Sequence, residues 1–186
     1  MSLRSPGLAI CDPTGKWTVG CFAQTKRRVP STSPAVKIYP AIPSNLTDDI
    51  LRYIHIRKYV RVFVEEVVPV SEISSVRAVL EGYAFQPTKS GSSYKLHELG
   101  GCIKMILSEM EITKVYIVPP SKWKKDLGLS VRGNKWAAFD LAKTLLIDID
   151  MFCATNVPMI RTKDVPNPVQ DMADAICLVQ WLIKRT

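Results

Sequence analysis

The chain has 186 residues, 47% of them hydrophobic, which is enough for one substantial core and too little for two, so a single domain over 1–186 is expected. Its formal charge of +8 points to a polyanionic partner, because lysines and arginines that neutralise phosphates release condensed counterions. No apolar run approaches the ~20 residues of a membrane-spanning helix and the N-terminus lacks a secretory-type segment, which predicts a soluble intracellular protein with no membrane partner. Cys11, Cys21, Cys102, Cys153 and Cys177 are odd in number and widely spaced, so they form neither a disulfide framework nor a zinc pattern. His55 and His97 lie at no ligand spacing from a cysteine and read as core or surface filler.

In chain order, Gly7 to Cys11 and Trp17 to Ala23 are apolar runs around turn chemistry at Pro13 to Lys16, which predicts a β-hairpin with Asp12 at the end of its first strand. Gln24 to Pro34 is a basic loop carrying Lys26, Arg27 and Arg28, and a third strand is expected around Val36 to Tyr39. Thr47 followed by Asp48 and Asp49 predicts a capped helix, with Ile50, Leu51 and Ile54 recurring at helical spacing. The β-branched and aromatic run Val60 to Val67 predicts a buried strand ending near Glu65 and Glu66, of which alternation allows one to join a site.

A short helix is expected over Ser71 to Tyr83 and a mildly basic loop, with Lys89, over Gln86 to Ser93. Lys95 to Met110 predicts a helix with a stripe of Leu96, Leu99, Ile103 and Ile106, interrupted by Gly100-Gly101. Val115 to Val118 is a further strand, followed by Pro119-Pro120 and the basic segment Ser121 to Lys125. Helices are predicted from about Lys135 to Ile147 and from about Pro168 to Lys184, the last with Met172, Ala175, Ile176, Val179 and Ile183 as its core stripe.

Asp12 and Glu65 close apolar runs, and Asp171 and Asp174, three apart, share one helix face. Carboxylates delivered together by core-facing elements repel one another and lose hydration unless protons or divalent cations neutralise them. Hard oxygen ligands of this kind suit Mg²⁺ or Mn²⁺, so the set reads as the metal site of a phosphodiesterase. Each acid also has a plainer reading: a solvated sheet edge for the glutamates, and helix-dipole complementation for Asp171 and Asp174.

The order strand, strand, strand, helix, strand, then alternating helix and strand to a C-terminal helix is that of the ribonuclease H-like fold. The residues resemble the RuvC-type Holliday junction resolvases, in particular their compact bacterial and phage branch. Leu8-Ala9-Ile10-Cys11-Asp12-Pro13-Thr14-Gly15 resembles the family's opening strand and turn, with Thr14 in place of the usual glycine. Val62-Phe63-Val64-Glu65-Glu66-Val67 resembles its second acidic strand, in which the first acid after the apolar triplet is catalytic, and this selects Glu65. Val118-Pro119-Pro120-Ser121-Lys122-Trp123-Lys124-Lys125 is similar to its Pro-x-x-Trp-Lys element, and Gln170-Asp171-Met172-Ala173-Asp174-Ala175 to its C-terminal acidic signature. Departures lie in Gln24 to Pro34 and Pro69 to Ser93. Where bacterial members carry a junction-wedging aromatic after the glutamate, Val67, Val68 and Pro69 follow here; Tyr83, Phe85 and Tyr94 are candidate substitutes.

The resemblance implies an α/β fold with a central mixed sheet of about five strands flanked by helices. It implies an endodeoxyribonuclease that resolves four-way DNA junctions by paired nicks, leaving 5′-phosphate ends. Asp12, Glu65, Asp171 and Asp174 would bind two Mg²⁺ ions, with Mn²⁺ as a substitute, and Lys122 and Lys125 would assist catalysis. Lys26, Arg27, Arg28, Lys89, Lys122, Lys124, Lys125 and Lys135 are the expected DNA contacts. A homodimer, with the Leu96 to Met110 helix as its seam, would supply one site per strand. Two other readings stand beside this one: a ribonuclease H-like nuclease acting on flaps, RNA–DNA hybrids or other branched DNA, and a non-catalytic nucleic-acid-binding module of the same fold.

Overall fold

A computed structural model describes residues 6–23, 34–42, 48–82, 92–129, 134, 136–146, 165 and 168–186. The opening hairpin forms as its turn chemistry dictates. Strand β1 (Leu8–Cys11) runs antiparallel to β2 (Trp17–Phe22), with Leu8 opposite Gly20 and Cys11 opposite Trp17. Strand β3 (Val36–Tyr39) then lies parallel to β2, Val19 facing Val36.

The next element corrects the expected strand over Val60 to Val67. Helix α1 runs unbroken from Asp49 to Val67, capped by the Asp48 carboxylate, which accepts from the Ile50 amide at 2.8 Å. The reason is periodicity: Tyr53, Ile56, Val60, Phe63 and Val64 recur at three and four and are the buried face, whereas a strand would bury every second residue. Arg57 and Arg61 lie off that face and both reach Glu109, at 2.5 and 2.9 Å. No proline interrupts the chain until Pro69. Ile50, Leu51 and Ile54, expected to face the core, are instead 65%, 48% and 54% exposed.

A short 3₁₀ turn (Val70–Ser75) leads into strand β4 (Arg77–Glu81), where a helix was expected. Helix α2 (Ser92–Glu109) follows, and its stripe Leu99, Ile103 and Ile106 is buried against α1, leaving Tyr94 and Met105 exposed. Among the described residues nothing lies within 4 Å of where a Cβ on Gly101 would sit, so no close approach among them explains it. Strand β5 (Lys114–Val118) pairs in parallel with β4, Arg77 facing Lys114 and Glu81 facing Val118. Helices α3 (Pro120–Asp126), α4 (Trp136–Leu145) and α5 (Val169–Ile183) complete the described fold. On α5 the deeply buried side chains are Met172, Ala173, Ile176, Cys177 and Leu178, while Ile183 is exposed.

The architecture is mixed α/β. Among the described residues the strands form two sheets, β1-β2-β3 and β4-β5, and the expected single sheet of about five strands is not seen. Strands β1 and β4 face one another across an apolar cavity of about 160 Å³ that α1, α2 and α5 close, lined by Leu8, Ile10, Phe63, Val79 and Leu107 among others. No helix among the described residues is long and apolar enough to cross a membrane.

Candidate acidic site

Three carboxylates are among the residues that line this cavity: Glu81, which ends β4, and Asp171 and Asp174, on the first turns of α5. Two packing facts bring α5 there. Gly7, just before β1, lies so close to the Asp171 carbonyl that a Cβ would overlap it. Further along, Cys177, Leu178, Trp181 and Leu182 of α5 pack in one cluster with Trp123 of α3, Val118 of β5 and Ala138 of α4.

Electrostatics at Asp174 follow from this position. Burial beside the apolar cavity pushes its carboxyl up to about 6; Glu81 and Asp171 push the same way, while Lys124 and a hydrogen bond from Gln170 oppose them. The Gln170 carboxamide donates to Asp174 Oδ1 at 2.9 Å, and its own Oε1 is buried with no hydrogen-bond partner among the described residues. Its indole N–H aimed at the cluster, the fully buried Trp123 donates to Glu81 Oε1 at 3.1 Å. Lys124, part-buried, lies over the Trp123 ring at 5.0 Å and is the cation felt by Asp174.

The expected four-acid set is not assembled. Asp12 sits at the other end of β1 from Gly7, about 16 Å away along an extended strand. Its Oδ1 accepts from the Thr14 amide and hydroxyl (2.9 and 2.6 Å) and from the Lys16 amide (2.9 Å), the chemistry of a hairpin turn. Those bonds, led by the Thr14 hydroxyl, hold its carboxyl below the usual value. Glu65 closes no strand: it is exposed on α1, 3.8 Å from Arg61, and does not line the cavity. Glu66 meets Lys37 and the Tyr39 hydroxyl instead.

Among the expected basic residues, Lys122 lies 3.7 Å from Asp126 with its side chain half exposed, and Lys125 is exposed. Lys26, Arg27, Arg28, Lys89 and Lys135 lie outside the described residues, as do Tyr83 and Phe85. Sequence reading missed Glu81 because Ser71 to Tyr83 was expected to be helical. Its signal is the short run Val76 to Leu80 closed by an acid, the same pattern that singled out Asp12. Cys21 and Cys177, both pushed up to about 12 by burial first and then by a neighbouring aspartate, are inert thiols packed in the core.

By donor chemistry, Glu81, Asp171, Asp174 and the orphaned Gln170 oxygen are hard ligands that suit a divalent cation such as Mg²⁺. The ionised form of Asp174, disfavoured first by burial and then by Glu81 and Asp171, is the form such an ion would stabilise. Among the described residues, no group of three or more His, Cys, Asp or Glu side chains is drawn together closely enough to hold an ion. Comparisons of the chain with known protein families, with curated proteins and with solved structures return no match.

Proposed function

We propose that the chain is a metal-dependent endonuclease of the ribonuclease H-like kind, nicking branched DNA, with the four-way junction as its preferred substrate and a homodimer as its working form. One observation carries this reading: Glu81, Asp171 and Asp174 line one cavity, with Lys124 near enough to act on Asp174, in a protein of net charge +8. Further support comes from the order of elements. Among the described residues three strands, a helix, a 3₁₀ turn, a strand that ends in an acid, a helix, a strand and three helices follow one another, the order of the fold the motifs resemble with α3 and α4 placed before the last helix. In that order the strand after the first helix is β4, which moves the role of the second acid from Glu65 to Glu81.

Glu81, Asp171 and Asp174 would hold the cation, with Gln170 orienting the Asp174 carboxylate. A bound Mg²⁺ supplies Lewis acidity, activating water and offsetting charge on the scissile phosphate. Lys124 would stabilise that phosphate, and the exposed Lys122 and Lys125 on the same helix would follow the neighbouring backbone. A two-fold dimer gives each of two opposed strands one such site, which is what symmetric nicking needs.

The test compares nicking of a synthetic four-way junction, a linear duplex and an RNA–DNA hybrid in Mg²⁺. The proposal expects preference for the junction, and loss of nicking but not of binding in Asp174→Asn. Hybrid preference turns the assignment to another ribonuclease H-like nuclease, and a wild type that binds without nicking turns it to a non-catalytic module. Asp12→Asn is informative because it keeps the Oδ1 acceptor of the turn. Nicking lost would assign Asp12 to the metal set, as the resemblance implies, and nicking kept would assign it to the hairpin.

A further inference from the structure

A carboxylate that binds a hard cation must present its oxygens in a fixed direction, and a glutamate, with three rotatable side-chain bonds, needs a second partner to do so. Glu81 sits at the last residue of β4, where the ladder to β5 ends on the Glu81–Val118 pair. From the residue after that pair, Pro119, the chain turns directly into α3, whose first turns carry Trp123. The proline pair fixes this turn: Pro119 caps the helix at φ −69°, and Pro120 occupies the first helical position, where a missing N–H costs nothing. Lys122 and Trp123 amides both return to the Pro119 carbonyl, so the rotation that aims the indole is set within one turn of β5.

We infer that Trp123 is a positioning residue for the acidic site: its indole N–H fixes Glu81 Oε1 toward Asp171 and Asp174, and its ring face seats Lys124 beside them. Two observations support this independently. Trp123 is fully buried, yet its only polar atom points at a carboxylate and not into the apolar cluster around it. Lys124, the next residue, lies over the face of the same ring at 5.0 Å. One side chain therefore orients an acid and a base of the same site. The inference rests on the nuclease reading for its consequence in metal binding, and on the structure alone for the hydrogen bond.

The molecule supplies its own control. Trp181 makes the same kind of bond, Nε1 to Asp126 Oδ2 at 2.8 Å, from the C-terminal end of α5, and does not line the cavity of the three acids. In ¹⁵N-labelled protein the four tryptophans give separate indole N–H signals, assignable by Trp→Phe substitution. Glu81→Gln is expected to move the Trp123 signal and leave that of Trp181 in place, and Mg²⁺ alone is expected to do the same in the wild type but not in Glu81→Gln. In calorimetry without DNA, Trp123→Phe is expected to bind Mg²⁺ about tenfold more weakly. Raising Mg²⁺ should then restore junction nicking in that variant, a recovery that damage to the core alone would not give.

An indole signal of Trp123 unmoved by Glu81→Gln overturns the inference, and so does a folded Trp123→Phe that binds Mg²⁺ like the wild type. Should Trp123→Phe fail to fold, the response to Glu81→Gln decides. A wild type that neither binds Mg²⁺ nor nicks overturns the nuclease reading, and the positioning role with it. A wild type that does both while Trp123→Phe matches it overturns the positioning role alone.

Discussion

Asp174 is costly to the empty fold, and replacing it should make the metal-free protein more stable. Holding a carboxyl at about 6 when its ordinary value is 3.8 means that the ionised form is disfavoured by roughly 3 kcal/mol on folding. The sign follows directly. Because the folded value lies above the unfolded one, Asp174 subtracts stability at pH above about 6, and the penalty fades as pH falls toward 3.8. Asp174→Asn removes the charge and keeps an acceptor for Gln170, at the cost of about 1 kcal/mol for an imperfectly satisfied amide. A net gain of about 2 kcal/mol remains at pH 8, or roughly 4–8 °C in Tm for a chain of this size. Thermal unfolding in EDTA at pH 8 and pH 4 measures it, with the gain expected at pH 8 and largely absent at pH 4. Added Mg²⁺ should raise the Tm of the wild type and leave the variant unmoved. An Asn variant that is less stable at pH 8, or a difference independent of pH, would refute the picture of a buried charge only partly offset by Lys124 and Gln170.

Gly7→Ala forces a methyl group into the Asp171 carbonyl and should cost about 1–3 kcal/mol in urea unfolding, with loss of nicking as the start of α5 shifts. Gly101→Ala meets nothing within 4 Å inside α2 and should stabilise by about 1 kcal/mol; a loss there would reveal a contact the fold does not contain. Asp126 is held below its ordinary value, first by the Trp181 indole and also by Arg185 and Lys122. It therefore contributes stability above pH 3.8 that disappears as pH falls through the lowered folded value, and Asp126→Asn should lower stability at pH 7 but not at pH 2.

The parts of the fold legible in the sequence were those where one local signal had no rival. Pro13 to Lys16 between two apolar runs gave the hairpin, and Leu99, Ile103 and Ile106 at three and four gave α2. Val60 to Val67 failed because β-branched content and helical spacing pointed in opposite directions. Propensity worth a few tenths of a kcal/mol per residue lost to burial of a whole face that began upstream at Tyr53. That error displaced the acid: with the strand misplaced, Glu65 took the position that β4 gives to Glu81. The pairing of Asp171 with Asp174 was legible because helix spacing is local. The contribution of Trp123 was not, since Trp123 and Glu81 are brought together by the pairing of β4 with β5, which no short-range pattern encodes.

Nicking of a four-way junction in Mg²⁺ by wild type, Glu81→Gln and Glu65→Gln decides which glutamate serves the acidic site. Glu81→Gln is expected to lose about a thousandfold in rate, the equivalent of ~4 kcal/mol of barrier, while Glu65→Gln, which removes only an exposed partner of Arg61, is expected to nick like the wild type. An inactive Glu65→Gln beside an active Glu81→Gln would overturn the assignment of Glu81.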